Sequence, residues 1–383
     1  MVAEKVAIGQ AGGATSVMNA SLFGFLEEAL PDYEVYGMVN GLQGLAENRL
    51  VPLTVSIVDR YQRVSVSPGA WLGAGRWPAR REDFIRYVDN LRDRDIRNLV
   101  LIGGNGTMWA CSQLERAAQQ VGFQLAVLGI PKTVDNDLAE TDHAPGFGSA
   151  ARYVATIVRD IGKDLESVRN FEAVRILETM GRNVGWLALS SGYLKQRPEH
   201  PPHLIYVPER EFRREEFLEV VKGVHQTYGY AVVVVSEGLL PGATENHLNR
   251  PVLGGVSREL AALVEKELGL PARGELLGMG QRSYSLAVSH QDWQEALALG
   301  REAAQLIRAR YSGCMLAFRR VSPSSYDCEI WCVPFERVAG IERPLPEKWL
   351  LPPDAVHEEF QAWLRPLVGE DLVAHPDNLC VEL

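Results

Sequence analysis

The sequence predicts an α/β protein of two doubly wound, mainly parallel sheets, each a three-layer α/β/α sandwich. Three observations predict it. Several short runs are continuously apolar, not alternating, as in strands buried on both faces. Longer stretches of helical spacing separate them. Glycines and acids cluster at the carboxyl ends of the runs, where open α/β sheets bind ligands.

The runs follow in order. VAIGQ (Val6–Gln10) is the first, and Asn19–Leu30 is the helix after it, with Leu22, Phe23, Phe25 and Leu26 at helical spacing. NLVLIGG (Asn98–Gly104) precedes a helix over Trp109–Val121. QLAVLGIP (Gln124–Pro131) is the third run. AVRILETMG (Ala173–Gly181) is the fourth and leads into an apolar helix, Val184–Tyr193. AVVVVSEG (Ala231–Gly238) is the fifth. This many units require at least two sheets. CEIWC, at Cys328–Cys332, reads as a further strand. From Pro334 onward turns and prolines surround one amphipathic helix near Val356–Leu364, which reads as a packed extension.

With 383 residues, 46% of them hydrophobic and 23% charged, the chain can bury a sizeable core and is not generally disordered. No apolar run reaches the ~18–20 residues of a membrane helix. The start, MVAEKVAIGQAGG, has no basic segment followed by an apolar stretch, so no signal peptide is expected. A formal net charge of −10 argues against a general nucleic-acid binder. The five cysteines are sparse and form no CxxC or Cys/His set. Reduced thiols in a cytoplasmic protein are expected.

The chemistry-bearing clusters lie at strand ends. GQAGGATS (Gly9–Ser16) and GGNGT (Gly103–Thr107) each follow a strand and open a helix. Small residues there let backbone N–H groups approach a phosphate. Neither is a GxGxxG or GxxxxGK[ST] motif, and either alone reads as a tight turn. PKTVDND (Pro131–Asp137) places Lys132, Thr133, Asp135 and Asp137 after the third strand. Paired carboxylates can divide the work of proton acceptor and metal ligand, or simply form a solvated Asx turn. Arg76 in WLGAGRWP, Arg182 in MGRN, and Arg273 and Arg282 in RGELLGMGQR sit at loop positions. Arginine forks match phosphate oxygens. Glu237 ends the fifth strand, suited to sugar hydroxyls or to a helix cap. Side by side, these clusters favour phosphoryl chemistry over idle turns.

Taken together, PKTVDND, MGRNVGW, RGELLGMGQR and the two glycine turns stand in the order and spacing of one family. From about Val6 to about Gly369 the chain resembles the phosphofructokinases, ATP-dependent and pyrophosphate-dependent alike. The resemblance implies the two-domain fold of that family. Residues 1–145 plus about 281–335 would be the phosphoryl-donor domain. Residues 146–280 plus the extension 336–383 would bind the sugar phosphate. It implies Mg²⁺-dependent transfer from ATP, or from pyrophosphate, to the 1-hydroxyl of fructose 6-phosphate. Asp135 would be the general base, Thr133 would sit beside the transferred group, and Arg76 would brace the donor phosphates. Gly13, Gly103, Gly104, Asn105, Gly106, Thr107 and Lys132 would line the donor site, with Mg²⁺ on Asp137 and Asn105. Met180, Gly181, Arg182 and Glu237 would hold the sugar. Arg273 and Arg282 would grip its distal phosphate, Arg273 from a neighbouring subunit. A cytoplasmic homodimer or homotetramer with shared sites follows, with no nucleic acid and no membrane.

Departures from the family pattern are informative. Asn105 stands where ATP-type members carry Asp, which weakens that metal ligand. One pyrophosphate-type branch has Asn there, and TDHAPGFGSAARY and the tail also resemble that branch. Gly106 stands where pyrophosphate enzymes carry an Asp that repels the α-phosphate of ATP, whereas Lys132 is the pyrophosphate-type residue. The balance favours ATP, with pyrophosphate as the alternative. Trp109 and Ala110 are larger than their ATP-type counterparts and would narrow an adenine pocket. Ala173 and Met279 replace an Arg and a His of the distal-phosphate site. Each lost charge-assisted contact removes roughly 1.5–3 kcal/mol, so another phosphosugar or alcohol is an alternative acceptor. Phe23 replaces an effector-binding Arg of regulated bacterial members. His143, in TDHAPG, reads as a structural turn histidine. A catalytically silent metabolite-binding relative is the reading from another class, and retention of Asp135, Asp137 and Arg76 argues against it.

Overall fold

The computed structural model describes residues 3–75, 77–240, 254–322 and 326–376. The chain divides into two compact units, residues 1–147 with 282–343, and residues 148–281 with 344–383.

Strand β1 (Glu4–Gln10) opens the first unit, followed by β2 (Tyr33–Met38), β3 (Leu50–Leu53), β4 (Asn98–Gly103) and β5 (Ala126–Pro131). The second unit holds β6 (Val174–Thr179), β7 (Leu204–Tyr206), β8 (Ala231–Ser236) and β9 (Ala272–Leu276). The chain then adds β10 (Cys314–Arg320) and β11 (Cys328–Pro334) to the first unit. Among the described residues, the first sheet has the order β11-β10-β5-β4-β1-β2-β3 and the second β7-β8-β6-β9. The second is parallel throughout. In the first, only β10/β11 and β2/β3 pair antiparallel. Pro52 lies in edge strand β3, where a missing N–H costs no ladder bond.

The central strands are buried on both faces. Leu99, Val100, Leu101 and Ile102 of β4 are fully inaccessible, and side chains of this size contribute roughly 1.5–3 kcal/mol each on burial. Phe84, Tyr87, Leu101, Leu114 and Phe335 form one apolar layer of the first unit, and Met18, Phe25, Ile102, Leu299 and Phe318 the other. In the second layer the helix Met18–Ala29 crosses the helix His290–Arg308. The backbones meet so closely at Gly300 that a side chain there would strike the Ser21 carbonyl. Phe23 is buried in this layer, its ring 5.3 Å from that of Trp71. The second unit has its own core around Ile176, Phe217, Val233 and Leu260.

Three helices differ from expectation. The helix after β4 starts at Asn105 and not at Trp109, so Gly103 ends the strand, Gly104 caps the helix and Asn105–Thr107 already belong to its first turn. The helix expected over Val184–Tyr193 is a short α-helix, Trp186–Ser190, continued as a 3₁₀ turn, Ser191–Leu194. Ser190 and Ser191 hydroxyls donate back to the carbonyls of Trp186 and Ala188, a bonding pattern that weakens helices. The C-terminal helix runs Glu358–Val368, beginning after His357 accepts the Glu359 N–H. Among the described residues no helix is long and apolar enough to cross a membrane. Cys111, Cys314, Cys328 and Cys332 are free thiols, and Cys380 lies outside the described residues.

Candidate functional site

In the first unit the chain leaves β1 toward β2 on one side, while β4 lies on the other. This is the switch point at which α/β sheets bind ligands, and both glycine turns emerge there. Gln10 and Asn19 hold the first turn. Gln10 donates to the Asn19 side-chain oxygen at 3.0 Å and accepts the Leu72 N–H, and Asn19 accepts the Trp71 N–H at 2.8 Å. Gly12 donates to the Gly75 carbonyl at 3.1 Å. The loop leading to Arg76 is thus sutured to the turn, though Arg76 itself lies outside the described residues. Gln10 and Asn19 were not singled out in the sequence, because two buried amides carry no motif. The Lys132 ammonium donates to the Gly13 carbonyl at 2.5 Å. A Cβ on Gly13 would lie 2.9 Å from the Arg282 guanidinium. Gly13, Lys132 and Arg282 therefore come together.

The second glycine turn feeds directly into a helix, and the N–H groups that open a helix, before the Thr107 N–H that bonds to the Gly104 carbonyl, have no intrahelical acceptors and suit an anion. Gly103 is obligatory, since a Cβ would run into the Thr107 side chain. A Cβ on Gly106 would meet nothing within 4 Å. Thr107 is buried, as is Ala110, which faces the core, while Trp109 packs edge-on against Phe84 at 5.6 Å. Asn105 spends both ends of its amide on the backbone of Gly340 and Ile341.

The loop after β5 is internally braced. The Thr133 hydroxyl donates to Asp137 Oδ1 at 2.9 Å and accepts the Asp135 N–H at 3.1 Å. Thr133 thereby fixes both acids at once. Burial pushes the Asp137 carboxyl above its usual range, and the Thr133 bond pulls it part of the way back. A carboxylate short of compensation suits a hard cation, so Asp137 fits Mg²⁺. Arg343 lies nearby. Burial pulls its guanidinium down to about 10, and Asp142 and Asp137 oppose that pull.

The return limb of this loop is clamped by the helix His290–Arg308. Asp292 accepts the Gly146 N–H at 2.9 Å. His143 is buried, stacked on Phe318 with ring centroids 4.8 Å apart. Its Nδ1 meets Asp142 at 2.9 Å and its Nε2 meets Glu295 at 2.7 Å. Burial would lower its pKa, but Glu295 and Asp142 outweigh burial and hold it up at about 9. Tyr326 donates to Glu295, and Arg320 pairs with Asp142 at 3.1 Å.

In the second unit β6 and β8 are neighbours and end level, Thr179 opposite Ser236. Met180, Gly181 and Arg182 follow β6, and Glu237 follows β8. Met180 donates its N–H to the Gln281 side chain at 2.9 Å, and Glu237 donates its N–H to the Thr179 carbonyl at 2.9 Å. Ser236 donates to the Gly181 carbonyl. These four residues therefore share one end of the sheet. Arg273 does not join them. It opposes Arg175 near the start of β6 and pairs with Glu172 at 2.8 Å, leaving its side chain 63% exposed. The five residues from Arg175 to Met180 put it about 16 Å along the strands from that end. Ala173 is buried in the unit's core, and Met279 is exposed.

A family model described as Phosphofructokinase matches residues 5–307. The chain is 45% identical over 372 residues to the sulfofructose kinase of Alkalicoccus urumqiensis, covering 95% of each chain. It is 33% identical to the pyrophosphate–fructose 6-phosphate 1-phosphotransferase of Xanthomonas campestris pv. campestris, covering 96% of this chain and 92% of that one. The crystal structure of a pyrophosphate-dependent phosphofructokinase from Marinobacter aquaeolei superposes with a TM-score of 0.87 at 30% identity, covering 98% of this chain and 94% of that one. The chain belongs to the phosphofructokinase family and is a phosphotransferase with an alcohol group as acceptor.

Proposed function

We propose that this chain transfers the γ-phosphoryl group of ATP to the 1-hydroxyl of sulfofructose, with the sulfonate seated where fructose 6-phosphate carries its phosphate. The observation that carries the acceptor is the pair of lost cations. Ala173 is buried and Met279 is apolar, where the family resemblance expects Arg and His. A phosphate monoester carries about −1.5 to −2 at pH 7, a sulfonate only about one negative charge, so a site with two fewer cations suits the sulfonate. The 45% identity to a sulfofructose kinase, against 33% to a fructose 6-phosphate enzyme, points the same way. Fructose 6-phosphate is the second reading, favoured by the pyrophosphate-dependent relatives.

For the donor, Gly106 leaves its surroundings open and Lys132 is engaged by the Gly13 carbonyl. Both support ATP over pyrophosphate. Mg²⁺, held on Asp137, would neutralise donor charge. Asp135 would take the proton of the attacking hydroxyl, its backbone fixed by Thr133. The N–H groups at Gly104–Gly106, with Gly13 and Arg76, would bind the donor phosphates. Such transfer depends on positioning and charge far more than on covalent help. Met180, Gly181, Arg182 and Glu237 would hold the sugar, Arg282 its distal anion, and Arg273 would complete the site of a neighbouring subunit in a homo-oligomer.

The test is ³¹P NMR with Mg²⁺, crossing ATP and pyrophosphate with sulfofructose and fructose 6-phosphate. A 1-phosphate resonance is expected first with ATP and sulfofructose. Faster turnover of fructose 6-phosphate would favour the second reading. Asp135→Asn should lower kcat by roughly 100-fold or more. A wild-type chain with no turnover on either acceptor would support a silent relative.

A further inference from the structure

The first unit ends on Gly340–Arg343, the last stretch before the chain enters the second unit. This segment touches both the glycine turn after β4 and the loop after β5. The Asn105 amide nitrogen donates to the Ile341 carbonyl at 2.8 Å, and its oxygen accepts the Gly340 N–H at 2.7 Å. Glu342 then bridges antiparallel to Leu138. Arg343 donates its backbone N–H to the Asp137 carbonyl at 2.8 Å. Its guanidinium donates to the carbonyls of Thr141 and Asp142. Gly340 has φ +80°, a backbone state glycine holds without steric cost, and this presents its N–H to Asn105.

We infer that Gly340–Arg343 is a strap locking the donor turn to the loop of Asp135 and Asp137, and that Asn105 is its anchor. Asn105 acts as a positioning residue and not as a metal ligand. This rests on the donor assignments proposed above. A side-chain amide offers a donor and an acceptor on separate atoms at one tip, which a carboxylate, acceptor-only, does not. An Asp here could accept from Gly340 but would set an oxygen against the Ile341 carbonyl. The exchange Asn105→Asp therefore separates the two roles. For a metal ligand it adds charge and tightens the metal. For an anchor it breaks one bond and adds repulsion.

The experiment uses the full chain as wild type, Asn105→Asp and Asn105→Ala. Amide hydrogen exchange is followed across Gly340–Arg343 without ligands. Mn²⁺ affinity is measured by EPR with ATP as the probe, and kcat and KM with ATP. Both variants should exchange at least about tenfold faster at Gly340 and Arg343. Asn105→Asp should bind Mn²⁺ no more tightly than wild type. Its kcat should fall about tenfold while the ATP KM stays within about twofold. Retained protection, tighter Mn²⁺ in Asn105→Asp, or unchanged kcat would each overturn the inference. A wild type without turnover would defeat the proposed function instead, while exchange and Mn²⁺ affinity would still judge the strap.

Discussion

At the scale of single residues, Gly106 is the position where one atom more has the clearest consequence. Nothing lies within 4 Å of where its Cβ would stand, and it belongs to the first turn of a helix. A carboxylate is tolerated in that turn, since the helix dipole favours it. Gly106→Asp should therefore fold normally. Its charge would repel a nucleotide α-phosphate, so kcat/KM for ATP should fall roughly 100-fold, or about 2.7 kcal/mol of transition-state stabilisation, with pyrophosphate affected far less. Equal use of ATP by variant and wild type, in parallel steady-state assays with both donors, would remove Gly106 from donor choice. The sequence made residue types legible here but not their partners. Lys132 could be singled out as a cation beside two acids, yet its acceptor is the Gly13 carbonyl, 119 positions away. Asn105 showed only as a missing charge, because its backbone partners lie 235 and 236 positions away.

At the scale of elements, the apolar runs followed by helices were legible, as was the partly exposed β11 in CEIWC, whereas β2, β3, β7, β9 and even the buried β10 were missed. β1, β4, β5, β6 and β8 are apolar runs, whereas β7 has three residues and β9 reads ARGEL. The strand ends are close-packed, and this gives one prediction. A Cβ on Gly238, just past β8, would run into the Arg182 carbonyl oxygen. Gly238→Ala should cost roughly 2–3 kcal/mol of stability and weaken acceptor binding, read as a lower Tm and a higher acceptor KM. An unchanged Tm would mean that the MGRN turn moves freely. A second prediction concerns the clamp between the return limb of the loop after β5 and the helix His290–Arg308. His143 titrates near 9 in the fold and near 6.5 when unfolded. Its contribution is therefore complete below about pH 6.5 and is lost as pH rises through 9, on the order of 3 kcal/mol in all. Wild-type Tm should fall across that window, and His143→Gln should start lower and fall less. An equally steep fall in the variant would assign the loss to other groups. The sequence read His143 as a structural turn histidine. That it is a cation between two carboxylates follows from Glu295, 152 positions away.

At the scale of the whole molecule, the family resemblance carried by the motifs and their order implied a chain that leaves one unit, builds another and comes back. What order cannot convey is which subunit a residue serves. Arg273 stands near the amino end of β6, whereas Met180, Arg182 and Glu237 stand at the carboxyl ends of β6 and β8. The ~16 Å between them along the strands keeps Arg273 away from those residues of its own chain, which leaves the proposed service to a neighbouring subunit to be tested. This makes a mixing experiment decisive. If the proposed homo-oligomer shares its sites, Asp135→Ser and Arg273→Ala should each disable every site of their own assembly. In a mixed dimer with shared sites, the Arg273→Ala chain supplies an intact Asp135 and its neighbour supplies an intact Arg273. One site of two is then whole. Half of randomly reassorted dimers are mixed, so activity should recover to about one quarter of wild type, since a closed two-fold assembly repeats the same contact on both sides. If Arg273 served its own chain, every site in the mixture would carry one defect. Activity after unfolding and refolding the two variants together would then stay at the sum of the separate variants, and the shared site would be ruled out.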